Sequence, residues 1–362
     1  MLLRARSLVW LEHPADNREV TGSNPVVPTN YSVQGFHFTT ISIMKGPLPA
    51  SDQMPVLSGA SGAEVAESLA PLLDMDHVRV ESRRFPDGEA YVRIPAEDIG
   101  SIRSEPVVLV SNTYPDSGII QTILLLGAIR DVRKGDLSNL KGELSEGMDD
   151  VGPGIFLAIP YFGYARQDKR FSAGESVSAR TVAEVLEGHC DGIAILDLHA
   201  PEVLEGMGVP IEFVSSMPEI ADSLQNGVGP DFILSPDKGA ISRASEVAGL
   251  IGCEFSYLEK TRIDAHTIDH TPKYLDVSGK VGAIVDDMIS TGGTICRASD
   301  ALRRQGAIEV HAACTHGRVT AGALSRLAEH VDGVHTTDSL PNPRASVSAA
   351  PALARGLRTL IE

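Results

Sequence analysis

What most constrains this chain is a recurring arrangement of short apolar runs that end in carboxylates, each followed by residues with helical spacing. AILDLH at 194–199, FILSPD at 232–237 and GAIVDD at 282–287 are such runs. VVLVSN at 107–112 and FLAIPYF at 156–162 are further apolar runs of strand length. Helical spacing follows in IIQTILLLGAIRDV at 119–132, in SARTVAEVLEG at 178–188, and over 238–251 and 294–305. Strands this short and continuously apolar are covered on both faces. Their alternation with amphipathic helices therefore predicts an α/β fold of mainly parallel sheets flanked by helices.

The 362 residues suffice for two such domains. A boundary near 210–218 divides the chain into an N-terminal domain, 54–215, and a C-terminal domain, 216–362. Residues 1–53 show no sustained period and read as a disordered extension or a misassigned start. The fold is expected to begin near Pro55. The Gly-rich, acidic stretch at 133–154 looks like an inserted surface loop.

The formal net charge is -17. Residues 1–53 hold four acids and four Lys or Arg, so the whole imbalance lies beyond them. A surface of that sign excludes a nucleic-acid backbone as partner. It fits either a high-salt cytoplasm or an ordinary acidic cytosolic protein. The four cysteines are scattered without paired spacing, which predicts reduced thiols in a cytoplasm and neither zinc site nor disulfide framework. No apolar run is long enough to span a membrane.

Adjacent acids at the end of a buried strand must be solvated, paired or bound to something cationic or hydroxylic. After Asp286 and Asp287 comes the turn Ser290, Thr291, Gly292, Gly293, Thr294, and then a helical pattern. Such a turn presents successive backbone N–H groups beside the positive end of a helix, a cradle for a phosphate monoester. Two acids just upstream suit the hydroxyls of an attached sugar, so a phosphorylated ribose satisfies both groups. No Walker G-K-[ST] is present. For any one strand-end acid, a turn or cap role is the competing reading. Three such ends, carrying Asp197 and His199, Asp237, and Asp286 and Asp287, predict one ligand-binding rim.

The stretch from Val281 resembles the phosphoribosyl diphosphate-binding loop shared by phosphoribosyltransferases and ribose-phosphate diphosphokinases. RRFPDGEAYVRI at 83–94, PYFGYARQDKRF at 160–171, DLHAPEVLEGM at 197–207, SPDKGA at 235–240 and YLEKTRID at 257–264 resemble the diphosphokinase in the family's order. That resemblance covers about 55–360 and implies two phosphoribosyltransferase-like, Rossmann-like domains. It also implies transfer of the β,γ-diphosphoryl group of ATP to ribose 5-phosphate in the cytoplasm. Lys260 and Arg262 match the family's catalytic cations on a mobile loop continuing through 263–275. Phe85, Asp87 and Glu89 match the adenine-receiving segment, and Arg166, Gln167 and Asp168 the ATP-contacting run. His199 and Asp237 match Mg²⁺ ligands, with Asp197 orienting the histidine. In the family the adenine segment comes from a neighbouring subunit, so a homodimer or larger homo-oligomer is implied.

Ser290 stands where many members carry a further aspartate, a form associated with archaeal members. A phosphoribosyltransferase would have the loop without the ATP-contacting run. A non-catalytic regulatory subunit would have lost the loop cations or the metal residues.

Overall fold

A computed structural model describes residues 54–134, 152–262, 268–272, 276–320 and 322–362, with side chains from 259 to 275 outside that description. Eight strands form the first half: Pro55–Ser58 (β1), Asp76–Arg79 (β2), Glu81–Arg84 (β3), Ala90–Arg93 (β4), Val107–Val110 (β5), Ile155–Ile159 (β6), Gly192–Leu196 (β7) and Ile211–Val214 (β8). The second half adds Phe232–Ser235 (β9), Glu254–Arg262 (β10), Ile268–Pro272 (β11), Val281–Ile289 (β12), Glu309–Gly317 (β13), Gly333–Thr337 (β14) and Ala345–Val347 (β15). The helices are Ala63–Leu69 (α1), Ile99–Ser104 (α2), Asp116–Lys134 (α3), Ser178–Glu187 (α4) and Met217–Gly227 (α5). Ile241–Ile251 (α6), Gly293–Arg304 (α7), Ala323–His330 (α8) and Ala350–Ile361 (α9) complete them.

Two sheets result. The first has six strands in the order β2-β1-β5-β6-β7-β8, and every pairing is parallel. The second has seven, β11-β10-β9-β12-β13-β14-β15. All of its pairings are parallel except that between β10 and β11. Strands β3 and β4 make a separate antiparallel hairpin.

Alternation along each strand sends successive side chains to opposite faces, and both faces are buried. On the first sheet, Leu57, Leu109, Leu157 and Ile193 meet α3 and α4 through Leu126, Ile129 and Ala183. The opposite face, with Val56, Val108, Ala158 and Ala194, meets α1 and α9 through Val65, Leu353 and Leu357. On the second sheet, Leu234, Ile284 and Val310 face Ile295 and Leu302 of α7, and Ile233, Ala283 and Val285 face α5 and α6. These are doubly wound sheets. Helix α9 lies in the range expected for the C-terminal domain, yet it packs on the first sheet. The apolar stripe Ala350, Leu353, Ala354, Leu357 is the reason, because the outer face of β6 and β7 is open to cover it. The expected insertion at 133–154 and the N-terminal 53 residues lie largely or wholly outside the described residues. Among the described residues no helix is long and apolar enough to cross a membrane.

Candidate active site

The strands' carboxyl ends meet where the two sheets face each other, and hydrogen bonds cross between them. His199, just past β7, pairs through Nδ1 with Asp287 Oδ2 of β12 at 2.6 Å. Thr315 Oγ1 of β13 donates to Asp197 Oδ2 at 2.6 Å. Asn112, past β5, donates through Nδ2 to the Ser339 carbonyl at 3.0 Å.

One crevice at this junction collects Arg166, His199, Asp237, Asp286, Asp287 and the turn from Ser290 to Thr294. The turn is built by backbone sterics. Gly292 caps α7 with φ +75°, and a Cβ there would lie 2.9 Å from Leu327 Cγ, so glycine is required twice over. Helix α7 then starts at Gly293, and Gly293, Thr294 and Ile295 of its first turn line the crevice, where a helix start leaves N–H groups without intrahelical acceptors.

The two acids differ although they are neighbours. Burial and the adjacent Asp287 charge push Asp286 up to about 8. Burial alone would raise Asp287 as well, but the hydrogen bond with His199 and the nearby Arg243 charge hold it well below the usual carboxylate range. His199 is correspondingly raised, first by its hydrogen bond to Asp287 and against the cost of burial. One site carboxylate is thus firmly ionised and the other is poised to hold a proton.

Asp197 does not join the rim. Its carboxylate is buried behind the crevice, where Oδ2 also accepts from Ser216 N at 2.9 Å and Ser216 Oγ at 2.8 Å. The expectation that all strand-end acids face one rim fails here because Asp197 takes φ +39°, which turns its side chain toward β13. Arg243 was not singled out from the sequence. It lies on α6, lines the crevice, donates to the Leu198 carbonyl at 3.1 Å and stands 3.8 Å from Asp197 Oδ1. A cation in the first turns after SPD was the available signal.

Of Arg166, Gln167 and Asp168, only Arg166 lines the crevice; Asp168 borders a different cavity, and Gln167 borders none of those described. Phe85, Asp87 and Glu89 sit at the tip of the β3–β4 hairpin, away from the crevice. The tip is a tight turn, with Phe85 N donating to the Glu89 carbonyl at 2.8 Å and Gly88 at φ +95°. Phe85 is 38% exposed, with Tyr91 edge-on at 5.7 Å and the Arg83 guanidinium 4.8 Å from its ring centre. Lys260 and Arg262 are strand residues: Lys260 is opposite His270 and Arg262 opposite Ile268 in the antiparallel β10–β11 pairing. The segment read as a loop therefore has two strand arms. Residues 263–267 and 273–275 lie outside the described residues.

A mainly parallel sheet whose central strand carries paired acids near its carboxyl end, followed by a Ser/Thr/Gly turn at a helix start, defines a phosphoribosyl-handling α/β protein. Residues 219–338 accordingly match the family model described as the phosphoribosyl transferase domain. Residues 153–189 match the N-terminal domain of ribose phosphate pyrophosphokinase. The ribose-phosphate pyrophosphokinase of Methanopyrus kandleri is 38% identical over 311 residues, covering 85% of this chain and 99% of its own. That of Methanothermobacter thermautotrophicus is 36% identical over 302 residues, covering 83% and 98%. The crystal structure of phosphoribosylpyrophosphate synthetase from Mycobacterium smegmatis superposes with a TM-score of 0.68 at 27% identity, over 86% of this chain and 99% of that one. The chain belongs to the ribose-phosphate pyrophosphokinase family.

Proposed function

We propose that the chain transfers the β,γ-diphosphoryl group of ATP to the C1 hydroxyl of ribose 5-phosphate, giving 5-phosphoribosyl 1-diphosphate and AMP. The supporting observation is that one crevice gathers Arg166, His199, Asp237 and Asp286 to Thr294 from four separate segments. Backbone N–H groups of Ser290, Thr291, Gly292, Gly293 and Thr294 would hold the sugar phosphate at the start of α7. Asp286 and Asp287 would take the ribose hydroxyls, the ionised Asp287 accepting hydrogen bonds and fixing the ring. Arg166, Lys260 and Arg262 would neutralise charge on the transferring diphosphoryl group, because positioning and charge stabilisation dominate phosphoryl transfer.

The residues present fit Mg²⁺ arriving with the nucleotide. His199 uses Nδ1 for Asp287, leaving Nε2, and Asp237 Oδ1 accepts from Gly239 N at 2.8 Å, leaving Oδ2. Among the described residues no cluster of three or more His, Cys, Asp or Glu side chains suits a metal by itself. Two protein ligands completed by phosphates and water is a common arrangement for this ion. When bound, Mg²⁺ supplies charge neutralisation on the phosphate oxygens.

Phe85 would stack on adenine, with Asp87 and Glu89 accepting from its amine and Gln167 and Asp168 nearby. The hairpin tip lies outside its own crevice, which favours delivery from a neighbouring copy and hence a homodimer or larger homo-oligomer. The test is a product assay with ATP, Mg²⁺ and ribose 5-phosphate, following AMP. AMP appearing only with the sugar is the expected result. ADP instead would mean monophosphoryl transfer, and no turnover in low or high salt would point to a regulatory subunit.

A further inference from the structure

A second cavity, of about 640 Å³, opens beyond the carboxyl ends of β5, β13 and β14, behind the ribose-phosphate turn. Its volume lies in the range of small-molecule sites and exceeds what an inorganic ion fills. The walls are largely apolar, formed by Pro115, Leu324, Leu340, Pro341 and Pro343. Into this space comes one cation. The Arg318 guanidinium lies over the Tyr114 ring, 4.6 Å from its centre. Its Nε is buried without an acceptor, and among the described residues no carboxylate pairs with it.

Of the other polar lining groups, Ser325 is exposed on the rim, and Asn112, Asn342 and Thr320 are already used. Asn112 donates through Nδ2 to the carbonyls of Ser61 and Ser339 and accepts at Oδ1 from Tyr161 N. Asn342 donates to the Leu340 carbonyl and accepts from Thr336 Oγ1. Thr320 Oγ1 donates to the Ser290 carbonyl at 3.4 Å. What remains, among the described residues, is a single positive charge without an anionic partner beside largely apolar walls, in a chain whose net charge is -17. A partly buried guanidinium of this kind is completed by a planar anion.

We propose that this cavity binds a small organic carboxylate carried on a flat apolar body. Its carboxylate sits on Arg318 and its ring lies against the proline-lined walls. The site is separate from the substrate crevice, although Thr320 N donates to the Ser290 carbonyl at 3.2 Å and joins the two rims.

The test compares 2-naphthoate with its uncharged counterpart 2-naphthamide by calorimetric titration of the full chain. Naphthoate is expected to bind once per chain, about tenfold or more tightly than the amide, as a hydrogen bond to a charged group implies. Arg318→Met is expected to abolish that preference. Ser325→Trp, on the exposed wall of the cavity, is expected to block naphthoate with Arg318 intact, and it tests the location even if the Arg318 variant does not fold. The proposal is overturned by no saturable binding, by equal affinities, or by a preference that survives Arg318→Met. Binding that survives Ser325→Trp, or displacement of naphthoate by ATP or ribose 5-phosphate, overturns it equally.

Discussion

The turn from Ser290 to Thr294 and the β3–β4 hairpin are both short polar segments between strands or strand and helix, yet they are built in opposite ways. The turn is closed on its own chain. Asp287 is 5% exposed and bonded to His199, and Gly292 fits against Leu327. The hairpin is open, with Phe85, Asp87 and Glu89 at a solvent-facing tip and only Arg83 and Tyr91 beside the ring. A segment that holds its ligand groups by local backbone geometry is complete within one fold. A segment that projects them outward is complete only against another surface.

The largest effect is expected at the cations that would close over the transferring group. Lys260→Ala should lower kcat by about two to three orders of magnitude with little change in the KM for ATP, the loss typical of removing one transition-state charge contact. A kcat within a few-fold of wild type would remove Lys260 from the machinery.

The contrast between turn and hairpin is sharpened by crossing substrates with sites. The double change Asp286→Asn and Asp287→Asn should raise the KM for ribose 5-phosphate roughly a hundredfold, since each carboxylate would lose a charge-assisted hydrogen bond. Phe85→Ala should leave that constant nearly unchanged and raise the KM for ATP about tenfold through lost base stacking. Mixing the two variant proteins under subunit exchange should restore turnover if the hairpin acts in trans. Activity no higher than the average of the separate variants would break the idea that the tip serves a neighbour.

Stability should separate the regions as well. Ile284→Ala, in the fully buried face of β12, should cost about 2–5 kcal/mol in denaturant unfolding. Tyr91→Ala, at a half-buried position of β4 in the hairpin, should cost less, about 1 kcal/mol. Equal losses would mean that the hairpin is packed as tightly as the sheet.

The smallest effect concerns thiols. Burial pushes Cys190 up to about 12, so at pH 8 it stays protonated and lacks the nucleophilic thiolate. Cys314, fully buried, is raised for the same reason. Native protein should therefore show negligible iodoacetamide labelling at both positions by mass spectrometry, and rapid labelling at either would indicate local opening of its sheet.

Much of this was legible in the sequence. The runs at 107–112, 156–162, 194–199, 232–237 and 282–287 correspond to β5, β6, β7, β9 and β12. Helix α7 begins at Gly293, one residue from the expected Thr294. Other parts were not legible. The seam between Asp197 and Thr315 joins residues 118 positions apart, and neither carries a local mark of the other. The packing of α9 on the first sheet was hidden for the same reason.

The order of strands and helices and the turn after Asp286 and Asp287 could be read from the chain alone, because both depend on side-chain periodicity and backbone sterics among near neighbours. Which carboxylates face the crevice, which histidine pairs with one of them and which sheet receives the last helix were settled by folding. Those outcomes depend on side-chain direction and on the burial of surfaces far apart in the chain. No local pattern records them.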